Sequence, residues 1–180
     1  MLFNDDYSFK GKHAEKVLLL TAPFDEKGNK FFIRNLDVYL LAPIIGFLYG
    51  KKSDLDNSGK TTNILFGAMS KEDTALWFNY RLIMLLDKDN EANADLRIEK
   101  AFREYGSEKA KKDEELYEAY VRGGIDILFD KLIPTDENMT PIPQSPEEYI
   151  KNLYIFIEEF EEKHGQNADK VLDLLQLAKS

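Results

Sequence analysis

The sequence predicts a mostly α-helical fold. It is a compact multi-helix domain around one buried helix, with an αα-hairpin at its C-terminal end. Three observations carry this. The stretch Leu36–Lys52, LDVYLLAPIIGFLYGKK, is a nearly unbroken apolar run that stops on a glycine and two lysines. It is too long for a strand and, with Pro43 and Gly46 inside it, too interrupted for a membrane span, so it reads as a helix buried on most sides. Helical spacing of apolar residues recurs in the segments that follow, each bounded by start and stop signals. Strand patterns, by contrast, are few.

In chain order, Lys10–Ala22 reads as a helix with Val17, Leu18 and Leu20 on its apolar side. Pro23 ends it. Asp25–Asn29 is a turn and Lys30–Arg34 a short extended piece. Asn35 is placed to cap the central helix, with Asp37 in its first turn. Pro43 removes one hydrogen bond and bends that helix, and Gly46 permits a close neighbour at the bend. Gly50 is its stop, and Lys51 and Lys52 suit the negative end of its dipole. Ser53–Thr62 is a polar loop.

Ser70 with Asp73 forms a capping-box pattern, opening a helix to Leu86 that turns Leu76, Trp77, Tyr80, Ile83 and Met84 inward. Another helix spans Ala94–Tyr105, with Leu96, Ile98, Ala101 and Phe102 apolar, and Gly106 breaks it. The helical pattern of Leu116–Ile133 contains Gly123-Gly124. Each glycine costs about 1 kcal/mol in a helix interior, so the pair marks a kink, a break or a tight contact. Pro134–Ser145 is a linker, and Ser145-Pro146-Glu147-Glu148 is a helix start. That helix is expected to stop at Gly165, after which Asn167 caps a last helix with Val171, Leu172, Leu174 and Leu175 on its apolar face. The domains are thus 1–133, a helical core, and 146–180, the hairpin.

The 180 residues are 43% apolar and 12% aromatic, enough to build a core, and contain no cysteine. Disulfides, thiolate nucleophiles and cysteine-based metal sites are thereby excluded. Neither a secretory signal nor a membrane span is visible, so the protein is expected to be soluble and cytoplasmic. The net charge is −9 and uneven: residues 1–60 hold nine Lys/Arg and eight Asp/Glu, and residues 61–180 fifteen and twenty-five. Such a chain repels phosphate overall, and its first sixty residues are the surface better suited to DNA.

No motif announces a reaction. Gly59-Lys60-Thr61 resembles the end of a phosphate-binding loop, but Asp54 stands where that loop needs glycine. Asp54-x-Asp56-x-Ser58-Gly59 resembles the start of a calcium loop, but Leu65 stands where the bidentate Glu belongs. Asp87, Asp89 and Glu91 make a second acidic loop. His13 lies among Lys10, Lys12 and Lys16, and His164 ends a helix; neither has metal-ligand spacing. Glu158, Glu159, Glu161 and Glu162 form one carboxylate run, and Glu104, Glu108, Asp113, Glu114, Glu115 and Glu118 another. Both read as solvated faces, with docking of a basic partner or mimicry of DNA charge as alternatives. No catalytic residue, cofactor or metal ligand is predicted.

Three segments in order resemble a small bacterial family associated with the Dnd system of DNA phosphorothioation. They are Phe31-Phe32-Ile33-Arg34 into Asp37–Ala42, Gly46-Phe47 and Lys51-Lys52; the helix Leu76–Leu86; and Arg97-Ile98 with Phe102–Tyr105, followed by Ala119–Leu128 around Gly123-Gly124. The resemblance covers roughly residues 30–133. Pro43 and Gly106–Glu115 depart from the family pattern, and the segment after Pro146 lies outside it. It implies an accessory role near a DNA-modification or anti-phage defence system, and no catalytic residues.

The function expected is therefore a non-catalytic accessory protein that binds another protein of such a complex. Its interaction surface would include Lys10, Lys12, Lys51, Lys52, Gly123, Gly124 and the C-terminal hairpin. One alternative is a direct nucleic-acid binder using the first sixty residues. The other is a metal-dependent hydrolase or nuclease using Asp54, Asp56, Asp87 and Asp89.

Overall fold

The computed structural model describes residues 2–137, 140–142 and 144–177, with side chains through Gly165. It is mostly helical, and it divides into two compact units, 1–129 and 130–180. The first holds β1 (Tyr7–Lys10), α1 (Gly11–Leu20), α2 (Asn35–Leu48), β2 (Thr61–Ile64), α3 (Phe66–Met69), α4 (Asp73–Leu86), α5 (Ala94–Phe102) and most of α6 (Lys111–Leu132). The second holds the end of α6 and α7 (Pro146–Leu177). Among the described residues, no helix is long and apolar enough to cross a membrane.

The apolar run Leu36–Leu48 forms α2, as its composition demands. Leu36, Val38, Tyr39, Ala42, Pro43, Ile45 and Gly46 are buried, and Leu41 and Leu48 reach the surface. Its start differs from the expectation. Arg34, not Asn35, is the cap: the Asp37 carboxylate accepts the Arg34 backbone N–H at 2.8 Å and its Nε at 2.9 Å. Asn35 instead donates its amide to Thr62 Oγ1 at 2.9 Å and to the Asn63 carbonyl at 3.3 Å, joining α2 to β2. Gly50, at φ +62°, ends the helix, with the Lys51 N–H on the Gly46 carbonyl at 2.8 Å.

Two strands were not legible in the sequence. β1 and β2 pair antiparallel, from Tyr7 opposite Ile64 to Lys10 opposite Thr61. Each is only four residues long, too short for an alternation signal, and Lys30–Arg34 forms no strand. The inner face of α1 is His13, Ala14, Val17 and Leu20, while Leu18 is exposed.

The inward face of α4 is as the spacing requires: Leu76, Tyr80, Ile83 and Met84 are buried, and Trp77 is half-buried. Ser70 does not cap it; a 3-10 turn, Ser70–Glu72, leads in instead. In α5 only Ala101 is buried, and Leu96, Ile98 and Phe102 are exposed.

The Gly-Gly pair does not break α6, which runs as one helix from Lys111 to Leu132. A Cβ on Gly124 would lie 1.7 Å from the Ala42 carbonyl oxygen, one on Gly123 1.9 Å from the Lys51 oxygen, and one on Gly46 2.1 Å from the Tyr120 oxygen. Gly46 and Gly124 let α2 and α6 touch backbone to backbone, and Gly123 admits the Lys51 backbone just past α2.

In the second unit, Ser145 and Glu148 cap α7 reciprocally. The Ser145 N–H donates to Glu148 Oε2 at 2.8 Å, and the Glu148 N–H to Ser145 Oγ at 3.3 Å. The expected stop at Gly165 does not occur, and α7 runs on to Leu177 as one helix. The hairpin is accordingly drawn differently. Lys131 at the end of α6 pairs with Glu159 of α7, so the turn lies in the 133–145 connection. The apolar face expected of Val171, Leu172, Leu174 and Leu175 lies outside the residues whose side chains are described.

Candidate functional site

The first turns of α6 carry Lys111, Glu114, Glu115, Glu118 and Arg122, whose three- and four-residue spacing puts them on one side of the helix. That side forms a wall of a cavity of about 620 Å3. The opposite walls come from the N-terminal segment (Leu2, Phe3, Asp5, Asp6 and Tyr7), from Tyr39 of α2, and from Leu55 and Met69.

Glu118 is the polar centre of the cavity. The Tyr7 hydroxyl donates to Oε2 at 2.7 Å and the Tyr39 hydroxyl to Oε1 at 2.6 Å. Burial raises the Glu118 pKa, and the two phenols and the Arg122 charge offset only part of that rise. Burial, and then the Glu118 charge, push the Tyr7, Tyr39 and Tyr117 hydroxyls well above their ordinary range, so they stay neutral. Aromatic packing fixes the donors. The Tyr7 and Tyr39 rings are 4.5 Å apart, and Phe3 sits edge-on to Trp77 at 4.9 Å and to Tyr117 at 5.8 Å. Phe3 reaches this position at φ +65°, the only positive φ among described non-glycine residues. A conformation of that kind costs about 1 kcal/mol or more and needs surrounding packing to hold it.

Arg122 links this cavity to a second polar cluster by donating its Nε to the Ser53 carbonyl at 2.8 Å. There the buried Asp126 carboxylate accepts Lys16 Nζ at 2.7 Å and Ser53 Oγ at 2.6 Å, with His13 Nε2 at 3.5 Å. Burial pushes Asp126 up, but the His13, Lys16 and Ser53 contacts outweigh it and hold its carboxyl well below the usual range. Ser53 spends its proton on the carboxylate rather than on the histidine. The set is a structural ion cluster and not a nucleophile–base pair.

The residues singled out from sequence fall elsewhere. Lys10 and Lys12 flank Gly11 at the β1–α1 junction; Lys10 Nζ lies 3.5 Å from Asn57 Oδ1, and the Lys12 backbone N–H donates to Asp56. Lys51 and Lys52 are exposed beyond α2, with Lys52 Nζ 5.1 Å from the Tyr120 ring centre. Gly124 is buried against the Ala42 backbone of α2 and Gly123 against the Lys51 backbone just past that helix, so they offer no surface to a partner. Lys16, part of the basic stretch, is committed to Asp126.

The four suspected metal ligands do not converge. Asp56 caps α1 from outside it, accepting the N–H of Lys12 at 3.0 Å and, on Oδ1, the N–H of Ser58 at 2.9 Å. The Ser58 hydroxyl first, and then those amides, hold the Asp56 pKa at about 2. Asp87 is buried and accepts the Tyr120 hydroxyl at 2.8 Å, whereas Asp54 and Asp89 are exposed. Among the described residues, no three His, Asp or Glu side chains gather as a metal site.

Tyr7, Tyr39 and Arg122 were missed by sequence reasoning, and Glu118 appeared only inside a run read as solvated. The available signal was the helical spacing of Glu114, Glu115, Glu118 and Arg122. The tyrosines that complete the site lie 111 and 79 residues from Glu118 and share no local pattern with it. In comparisons with known proteins, no family model, no curated protein and no solved structure matches the chain.

Proposed function

We propose that the chain is a non-catalytic interaction protein that receives a partner protein at the Glu118 cavity. The observation that carries this is the pairing of Glu118 with Tyr7 and Tyr39 at 2.7 and 2.6 Å. Each carboxylate oxygen already holds a phenol proton. The geometry supports a preorganised acceptor that orients a ligand, rather than a base free to abstract a proton. A cavity of about 620 Å3 that combines Phe3, Tyr7 and Tyr39 with the charged side chains of α6 has the size and lining of a recognition site. The partner we propose is another protein of a bacterial DNA-modification or anti-phage defence complex, the setting implied by the resemblance of residues 30–133.

The acidic wall disfavours the reading as a nucleic-acid binder at this site, because carboxylates there repel phosphates. Lys16 is lost to that reading as well, since Asp126 neutralises it.

Leu55 lines the cavity and is exposed, so Leu55→Trp would fill the mouth without changing charge. The test is co-purification of the tagged full-length chain from its host. A partner retained by the wild type and lost with Leu55→Trp is the expected result. Recovery of the free chain alone, or a partner held equally by both, would count against the proposal.

A further inference from the structure

α7 carries an apolar face that is independent of the Glu118 cavity. Among its described side chains Phe156 alone is buried, while Ile150, Leu153, Tyr154 and Ile157 are 58, 37, 60 and 46% exposed. These four stand three or four residues apart, so they share one side of the helix. Ile155 is exposed off that line. With the half-buried Phe160, Ile150, Leu153 and Ile157 follow the alternating step of three and four that makes a coiled-coil seam. A surface helix ordinarily turns such a line toward a core, and here it is left uncovered.

The charges beside the line decide what fits it. Lys151, Glu158 and Glu161 flank it and are exposed. The Tyr154 hydroxyl donates to the Glu158 carboxylate, which keeps its charge. Consider a second α7 laid antiparallel on the first, with Leu153 against Ile157 of the other copy. Ile150 then meets Phe160, and Tyr154 meets its own twin near the two-fold axis. Lys151 lies across from Glu158 and Glu161, once on each side of the axis. Glu147, set against Glu161 at the end of the overlap, is the unfavourable crossing. A parallel pair would instead set Lys151 beside Lys151 and each glutamate beside itself. The face is complementary to its own copy in one orientation, as an isologous interface requires.

We infer that α7 pairs antiparallel with the α7 of a second copy of this chain, giving a homodimer seamed by Ile150, Leu153, Tyr154 and Ile157. The overlap from Pro146 to His164 is about 28 Å of helix. An interface that short belongs to the small, exchanging class, with association in the micromolar range.

Sedimentation equilibrium of the full-length chain across micromolar concentrations tests this. A monomer–dimer equilibrium is expected. Ile150→Asp with Ile157→Asp, at exposed positions and checked for an unchanged circular dichroism spectrum, should leave only monomer. Lys151→Glu should weaken the dimer about tenfold, and combining it with Glu158→Lys and Glu161→Lys should restore it. The chain has no cysteine, so introduced thiols report the orientation. Lys151→Cys mixed with Glu158→Cys should give the mixed disulfide, whereas Lys151→Cys joining only to itself would mean a parallel pair and overturn the inference. A chain that stays single throughout, a dimer left intact by the two aspartates, or assembly beyond two copies would each overturn it as well. So would a different protein held by a single copy and released by the aspartates, since the face would then belong to that protein.

Discussion

Gly124 of α6 lies against the Ala42 carbonyl of α2 so closely that a Cβ there would stand 1.7 Å from the oxygen. No real Cβ contact is that short, and the obstacle is backbone, which cannot swing aside. The helix-propensity cost of Gly123-Gly124 is offset by this approach, which brings α2 and α6 together along buried surfaces.

Gly124→Ala should therefore destabilise the fold, although alanine is the better helix former. Overpacking at a rigid contact costs about 3 kcal/mol or more. Urea denaturation followed by tryptophan fluorescence measures it, and an unchanged midpoint would mean that the helices are not in backbone contact.

Gly165 makes the opposite case. It is helical, and among the described residues no atom from beyond its own stretch of helix comes within 4 Å of a Cβ placed on it. Gly165→Ala should raise helicity and stabilise α7 by about 1 kcal/mol. Were Gly165 a helix stop, as its sequence context implied, the same change would destabilise. Circular dichroism with a melting curve separates the two outcomes.

These two glycine sites show which parts of the fold the chain declares. Leu36–Leu48 was legible because its apolar character is continuous, and α4 because Leu76, Tyr80, Ile83 and Met84 recur at helical spacing. The role of Gly123-Gly124 was not, since a kink, a break and a close contact leave the same two letters. The β1–β2 pair was illegible because Tyr7–Lys10 and Thr61–Ile64 are short and meet only through tertiary structure. The cavity suffers from the same distance effect. Glu118 looks like one more solvated acid until Tyr7 and Tyr39 arrive from elsewhere in the chain.

The Asp126 carboxylate accepts Lys16 Nζ at 2.7 Å, and only a small part of either side chain meets solvent. Removing it leaves a cation in poor dielectric surroundings. Asp126→Asn should cost about 3 kcal/mol at neutral pH. Because the folded-state pKa of Asp126 is depressed, its contribution is complete above the ordinary carboxyl value of 3.8 and is lost as pH falls through the folded value. The gap between wild type and variant should narrow in acid, and a gap constant from pH 7 to pH 2 would refute the ion cluster.

Asp56 ties the 53–60 loop to the first turn of α1 through the Lys12 amide at 3.0 Å. Asp56→Ala should lower the melting temperature. Its pKa is held at about 2, below the ordinary 3.8, so the wild-type advantage exists above 3.8 and fades as pH drops toward 2. If added calcium raised the wild-type melting temperature but not that of the variant, the assignment of Asp56 as a helix cap would be wrong.

The Glu118 site has the reverse pH dependence. Its pKa is raised in the folded state, so burying the carboxylate weakens folding as pH climbs above the ordinary 4.5, and the Tyr7 and Tyr39 hydroxyls limit that loss by bonding the charged form. Removing both hydroxyls in Tyr7→Phe, Tyr39→Phe takes away the compensation and leaves the ring packing. The double variant should lose about 2 kcal/mol at pH 8, the scale of hydrogen bonds to a charged group, and less at pH 4, where Glu118 is protonated. Denaturant midpoints at the two pH values give the comparison directly. A loss independent of pH would show that the phenols serve packing alone and do not hold a charged carboxylate in the cavity.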